Sequence, residues 1–371
     1  MVYELSERSK HPAAFYLFIL LFRIRMDTSS DKNVLYSALR KAKSAEAMSR
    51  LLGVEKRQLE LLALHPKYRV FEVPKNDTEH RLIEDPGPPL KAVQAKLNRY
   101  LQCAYYFEKS FANYGFVANA VNDDDKRNIL ANARKHLKRP WMIQTDLHDF
   151  FHYVTAQKVL AIFSGAPFFY KEDLAEILTA LTTYNGRLPM GAPTSPVLSN
   201  FSCQALDDRL IGLANAKLWE YTRYVDDLTF SAKRPFDPDA LSEIRHIVEN
   251  EGFKLNDNKT TSLGPDDEKV VTGILLRGQG ELTPGFLTEV ESDIERVKNV
   301  VSTQNYFGEI RTHWVEKLKQ QVRGKIAFAG FVLGVRNAEY IRIKDAFYTA
   351  IIPPEEEFAA VSWKGFHYLI N

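Results

Sequence analysis

The chain has 371 residues, 45% hydrophobic and 26% charged, which suits a catalytic body with appended subdomains and excludes a largely disordered polymer. Its 49 Lys and Arg against 47 Asp and Glu leave a formal charge of +2, so any nucleic-acid partner has to be held by local basic patches. Two cysteines a hundred residues apart, Cys103 and Cys203, exclude a disulfide framework or a zinc site and fit a reducing, cytoplasmic compartment.

Residues 13–22, AAFYLFILLF, are strongly apolar but too few to span a bilayer as a helix. Lys10 and His11 precede them in the manner of a signal peptide, yet Arg23 and Arg25 follow where a small-residue cleavage site is needed. A buried or partner-docking helix, with no membrane association, is the expectation. Met26 reads as a natural start, which leaves residues 1–25 open as an extension. Helical spacing of apolar residues runs from Asp31 to His65. Tyr68 to Val73 then alternates as a strand, Asn76 and Asp77 form a turn, and Arg81 to Ile83 read as a second strand, together a hairpin with basic residues at its base. Pro86, Pro88 and Pro89 end that element, and Leu90 to Tyr106 form an amphipathic helix with Lys91, Lys96 and Arg99 off its apolar stripe.

Residues 141–151, WMIQTDLHDFF, read as a strand ending in an acidic turn, and 221–232, YTRYVDDLTFSA, as two strands meeting at paired aspartates, with mostly helical stretches between. From Glu289 to Gly330 the pattern is helical and basic, with Arg296, Lys298, Arg311, Lys317, Lys319, Arg323 and Lys325 interleaved with Tyr306, Phe307 and Trp314.

Asp226 and Asp227 at a hairpin tip can bridge hard divalent cations, which take oxygen ligands from one or two carboxylates, water and substrate phosphates. Asp146, the first acid after the apolar strand, supplies a third carboxylate. Two Mg²⁺ ions about 3.5–4 Å apart could then activate a hydroxyl and stabilise a leaving pyrophosphate. A lone Asp pair is ordinary turn composition. Here YVDD follows D-x-x-D-F-F by about eighty residues, with GAPTSP between them and GFKLNDNKT after.

On those motifs the chain resembles reverse transcriptases, in order from about Tyr68 to about Gly334. The resemblance implies an α+β right-hand polymerase fold: a helical N-terminal extension (1–66), fingers (67–140), a palm of antiparallel sheet flanked by helices (141–285, with a helical insertion at about 155–190), and a helical thumb and tail (286–371). It makes Asp146, Asp226 and Asp227 the metal ligands and Lys259 the cation beside the leaving pyrophosphate. It puts Phe151 at the gate that excludes a ribose 2′-hydroxyl, so deoxynucleoside triphosphates are the expected substrates, while core packing would claim one of Phe150 and Phe151. Met190 and Gly191 in LPMGAPTSPVLSN fall beneath the nascent base pair, Gly191 allowing close backbone approach. Met190 departs from the family's usual glutamine. Arg81 and Lys75 match residues that grip triphosphate oxygens, although KNDTEHR departs from the commoner Gly- and Lys-rich turn.

Asn132 to His136 fits the N-A-x-x-H motif, and Val271-Thr272-Gly273 the V-T-G motif, of retron reverse transcriptases. The resemblance then implies a cognate structured noncoding RNA, priming from an internal guanosine 2′-hydroxyl, a branched RNA–DNA product (msDNA), and a role in anti-phage defence beside a co-encoded effector protein. Asn132, His136, Thr272, Arg296, Lys319 and Arg323 are the expected RNA contacts. Fewer than forty residues follow Gly334, too few for an RNase H domain, so host RNase H is expected to remove template. A non-retron bacterial defence reverse transcriptase is the alternative. A catalytically idle RNA-binding scaffold that restrains an effector is a second, against which stand three mutually repelling carboxylates.

Overall fold

The structure, a computed structural model, describes residues 28–74, 80–307 and 312–352, with side chains of 303–312 left aside. The apolar run at 13–22, Lys75, the turn at Asn76 and Asp77, and the side chains of Tyr306, Phe307 and Arg311 lie outside the described set. Two compact units divide at Gly280 and Glu281. The expected divisions at 66/67 and 140/141 fall inside the first unit.

That unit begins with helices Ser29–Lys41, Ala45–Leu52 and Lys56–Leu64. Their ends follow from side chains that satisfy orphan backbone groups: Thr28 and Asp31 form a capping box, Ser44 caps the second helix, and Gly53 closes it at φ 61°. Leu39, Met48, Leu52 and Leu59, all at most 1% exposed, are the stripe they bury. Helix Pro88–Glu108 starts with prolines in its first turn, where no N–H is needed, and buries Leu90, Val93, Leu97 and Leu101. Strands β1 (Tyr68–Pro74) and β2 (His80–Pro86) pair antiparallel from Tyr68↔Pro86 to Pro74↔His80, with Val70, Phe71 and Leu82 exposed.

The central sheet has four antiparallel strands in the order β4 (Glu220–Tyr224), β5 (Asp227–Ala232), β3 (Trp141–Asp146), β6 (Thr261–Leu263). Apart from Asp227, β5 is buried on both faces, and its run Leu228-Thr229-Phe230 suits an inner strand. Register between β3 and β5 runs from Trp141↔Ala232 to Asp146↔Asp227, so the two strands end together on carboxylates. Beside the sheet, β7 (Val270–Val271) and β8 (Ile274–Leu275) form a small hairpin. Its turn residues Thr272 (φ 49°) and Gly273 (φ 81°) both adopt positive φ, the pattern of a type I′ turn.

In the second unit, helices Phe286–Phe307, Thr312–Leu333 and Ala338–Ala350 pack on Val290, Val297, Val322, Ala329, Ile343 and Phe347. Gly330 lets Tyr340 lie against the backbone, since a Cβ there would meet its ring at 2.4 Å. Lys325 pairs with Glu289 at 2.6 Å and also with Asp293.

Candidate active site

The two-residue turn between β4 and β5 places Asp226 in the turn and Asp227 at the start of β5, opposite the last residue of β3. One carboxylate oxygen from each of Asp146, Asp226 and Asp227 lies within 4.8 Å of the others. Asp146 is buried, Asp226 half-buried and Asp227 exposed. The strands are tied at their ends: Leu147 N donates to Asp226 O at 2.9 Å, and Asn256 N donates to Asp146 O at 2.8 Å. Asn256 Nδ2 and Lys259 Nζ approach the same Asp146 oxygen, at 3.2 and 2.9 Å.

Three carboxylates against one ammonium leave uncompensated negative charge. Desolvation, then repulsion from Asp227 and Asp146, pushes the Asp226 carboxyl well above the usual carboxylate range. Desolvation and repulsion from Asp146 push Asp227 up to about 6, with Lys259 opposing. Partial burial pulls Lys259 down, but its bond to Asp146 and the charges of all three acids outweigh that and raise it. Such crowding is the signature of a cation site, because a hard divalent ion would relieve the repulsion that protonation relieves otherwise. The all-oxygen donor set suits Mg²⁺, and among the described residues this is the one group of His, Cys, Asp or Glu side chains arranged to hold a metal.

After β3 the chain turns through Asp149 (φ 48°) into the short helix Phe150–Tyr153. The two phenylalanines separate there: Phe150, 4% exposed, packs on Phe253 at 5.9 Å, while Phe151 is half-buried with its ring 6.5 Å from that of Phe116. Gly191 sits at φ 133°, and a Cβ on it would meet Glu84 O at 2.9 Å. Met190 O accepts from Glu84 N at 2.7 Å, so backbone pairing joins the β1–β2 hairpin to this loop. A second tie is unsignalled by any motif: the 1%-exposed Glu84 carboxylate receives both arms of Arg187 at 2.7 and 3.1 Å. Arg81 lies exposed on β2, opposite Val73.

Asn132, 1% exposed, and His136, 0% exposed, both expected as RNA contacts, lie inside the protein. His136 Nδ1 lies 2.7 Å from Ser231 Oγ on β5, and Nε2 lies 2.7 Å from Thr222 Oγ1 on β4. The ring therefore bridges both strands of the hairpin that carries Asp226 and Asp227. Burial, with Arg139 and Lys135 adding to it, lowers its pKa to about 3 and keeps it neutral. Thr272 Oγ1 donates to Ile129 O at 3.1 Å, and Arg134 Nε to Gln279 O at 3.0 Å, so segments about 140 residues apart form one module behind the sheet.

In the second unit, Arg296 lies 6.0 Å from the Trp314 ring and lines a cleft with Lys317, Leu318 and Gln321. Lys319 is paired with Glu316 at 2.9 Å, and Arg323 lies 5.7 Å from the Phe347 ring. Part of the basic run is thus engaged in contacts within the unit.

Residues 73–276 match the family described as reverse transcriptase (RNA-dependent DNA polymerase). The Retron Ec86 reverse transcriptase of Escherichia coli is 33% identical over 228 residues, covering 61% of this chain and 68% of that protein. The Retron Mx162 reverse transcriptase of Myxococcus xanthus is 32% identical over 289 residues, covering 68% of this chain and 57% of that protein. Retron Mx65 reverse transcriptase of the same organism is 32% identical over 262 residues, with shares of 63% and 58%. The chain therefore spans between 57% and 68% of the length of these relatives. A solved structure of telomerase from Candida albicans with a fragment of telomeric RNA is similar at TM-score 0.37 and 9% identity, covering 78% of this chain and 61% of that one, too slight a likeness to argue from.

Proposed function

This chain belongs to the reverse transcriptase family and is of the retron type, and from that premise we propose that it copies part of a cognate structured RNA into DNA, primed from an internal guanosine 2′-hydroxyl. The observation that carries the reading is the convergence of Asp146, Asp226 and Asp227 within 4.8 Å at the ends of paired strands. Two Mg²⁺ ions held by these carboxylates would lower the pKa of the attacking hydroxyl and neutralise charge on the leaving pyrophosphate.

Lys259, bonded to Asp146, is placed to hold a proton near the departing pyrophosphate. The half-buried ring of Phe151 acts as the wall against a ribose 2′-hydroxyl, with Phe150 as its packed support. Gly191 and Met190 receive the new base pair, and Arg81, with Lys75, holds triphosphate oxygens from the hairpin. In the terms of a right-hand polymerase, the β1–β2 hairpin belongs to the fingers, the four-stranded sheet to the palm, and the 286–350 helices to the thumb. Arg296, Lys319 and Arg323 contact the RNA, as does Thr272 in the first unit. Asn132 and His136 serve indirectly, by shaping the sheet.

The product is a branched RNA–DNA hybrid (msDNA), used in anti-phage defence with a co-encoded effector, and host RNase H removes the copied template. Sequencing of nucleic acid that copurifies with the protein tests this: DNA joined to RNA through a 2′,5′ linkage is expected. DNA without such a linkage would assign the enzyme to the non-retron defence group, and no DNA at all would favour the scaffold.

A further inference from the structure

The turn that carries the catalytic aspartates is built on an unfavourable residue. Val225 has φ 63°, and of the two turn residues it alone has positive φ, the pattern of a type II′ turn, whose first position favours glycine. A β-branched side chain is a conformational outlier there and persists only if its surroundings hold it. Directly behind the turn lies a charged residue with no surface at all. Arg223 and Asp207 are both 0% exposed and meet in a bidentate pair, Nε to Oδ1 at 2.8 Å and Nη2 to Oδ2 at 2.7 Å. With those two nitrogens engaged, the remaining arm, Nη1, donates to Val225 O at 3.0 Å and to Asn200 Oδ1 at 3.2 Å.

Val225 O belongs to the peptide that leads into Asp226. Fixing that carbonyl fixes the plane from which the Asp226 side chain departs, while Leu147 N holds the carbonyl on Asp226's other side. The far wall is equally tight. Asn200 Nδ2 donates to Gly115 O at 3.0 Å, and a Cβ on Gly115 would stand 2.6 Å from Val225 N. A buried arginine is an expensive way to fill space, and an apolar pair of similar volume would serve stability as well or better. Its aim at one carbonyl points to a positioning task.

We propose that Arg223, oriented by Asp207 and Asn200, is a positioning residue that holds the left-handed Val225 turn and so aims Asp226 at Asp146 and the metal site. The inference rests on the role proposed above for the carboxylate trio.

The test compares wild type, Arg223→Lys, Asn200→Ala and the double variant Arg223→Lys/Val225→Gly. Two readouts are taken: dTTP incorporation on poly(rA)·oligo(dT), and titration of Mn²⁺ alone into nucleotide-free protein, followed by electron paramagnetic resonance. Lysine keeps the charge but cannot reach Asp207, Asn200 and Val225 O together. Arg223→Lys and Asn200→Ala are expected to lower kcat about 10- to 100-fold, as misplacement on the ångström scale does, with KM for dTTP within about twofold of wild type. Mn²⁺ binding should weaken in parallel. Adding Val225→Gly to Arg223→Lys should restore most of both losses, because glycine adopts the turn unaided.

A folded Arg223→Lys variant with wild-type kcat and Mn²⁺ affinity would overturn the proposal, as would a loss that Val225→Gly leaves untouched. If Arg223→Lys does not fold, Asn200→Ala decides on the same two readouts. Absence of incorporation by the wild type would instead overturn the polymerase reading, and the Mn²⁺ titration would still judge Arg223.

Discussion

Acidification should destabilise this chain through His136 alone by an amount that the structure lets us work out. The ring is wholly buried between Ser231 and Thr222, and its pKa falls from 6.5 to about 3. Above pH 6.5 it is neutral whether the chain is folded or not, so its contribution is complete. Between 6.5 and 3 the unfolded chain binds a proton that the folded one refuses, and stability is lost as pH falls. At about 1.36 kcal/mol per unit, roughly 2 kcal/mol is gone by pH 5 and about 5 kcal/mol by pH 3. The assay is urea unfolding of wild type and His136→Gln, without divalent ions, at pH 8 and pH 5. Asp226 and Asp227 titrate in both proteins and cancel in the difference. At pH 8 the variant should be weaker by about 1–3 kcal/mol, from hydroxyls left imperfectly paired. At pH 5 that gap should close by about 2 kcal/mol. A gap that stays constant or widens would refute the buried, neutral histidine.

Phe151→Val should admit ribonucleotides, seen as a fall in the ratio of kcat/KM for dTTP over UTP, whereas Phe150→Ala should leave that ratio alone and lower stability by about 3–5 kcal/mol in thermal or urea unfolding. Gly191→Ala, which forces a Cβ to 2.9 Å from Glu84 O at φ 133°, should destabilise by about 1–3 kcal/mol and raise KM for deoxynucleotides. Arg187→Ala leaves the buried Glu84 carboxylate without its partner and should cost about 3–5 kcal/mol, read by unfolding; Glu84→Gln/Arg187→Met together should recover much of it.

The trio was legible because carboxylates at the ends of apolar, β-branched strands have no packing reason to be there, and strand register then brings Asp146 opposite Asp227. The Phe150 and Phe151 pair showed that one ring packs and one does not, but only the turn at Asp149 decides which. His136 was expected to contact RNA on its N-A-x-x-H motif alone, which carries no mark of where the ring points. The helix end instead directs the ring into the sheet, toward partners 86 and 95 residues away. Arg223–Asp207 and Glu84–Arg187 were invisible for the same reason, since a lone charge in a strand carries no mark of the distant segment that neutralises it. One signal was available: an arginine directly before YVDD, in a strand whose neighbours are apolar or β-branched, had to find a buried acid.

The most direct measurement is DNA synthesis by wild type and Asp227→Asn on a primed RNA template with deoxynucleotides and Mg²⁺, both proteins first shown to unfold at similar urea concentrations. Losing one of the converging carboxylates should reduce the rate at least about a thousandfold, on the scale of other essential electrostatic groups. Equal synthesis by the two proteins would contradict the assignment of Asp146, Asp226 and Asp227 as the catalytic centre.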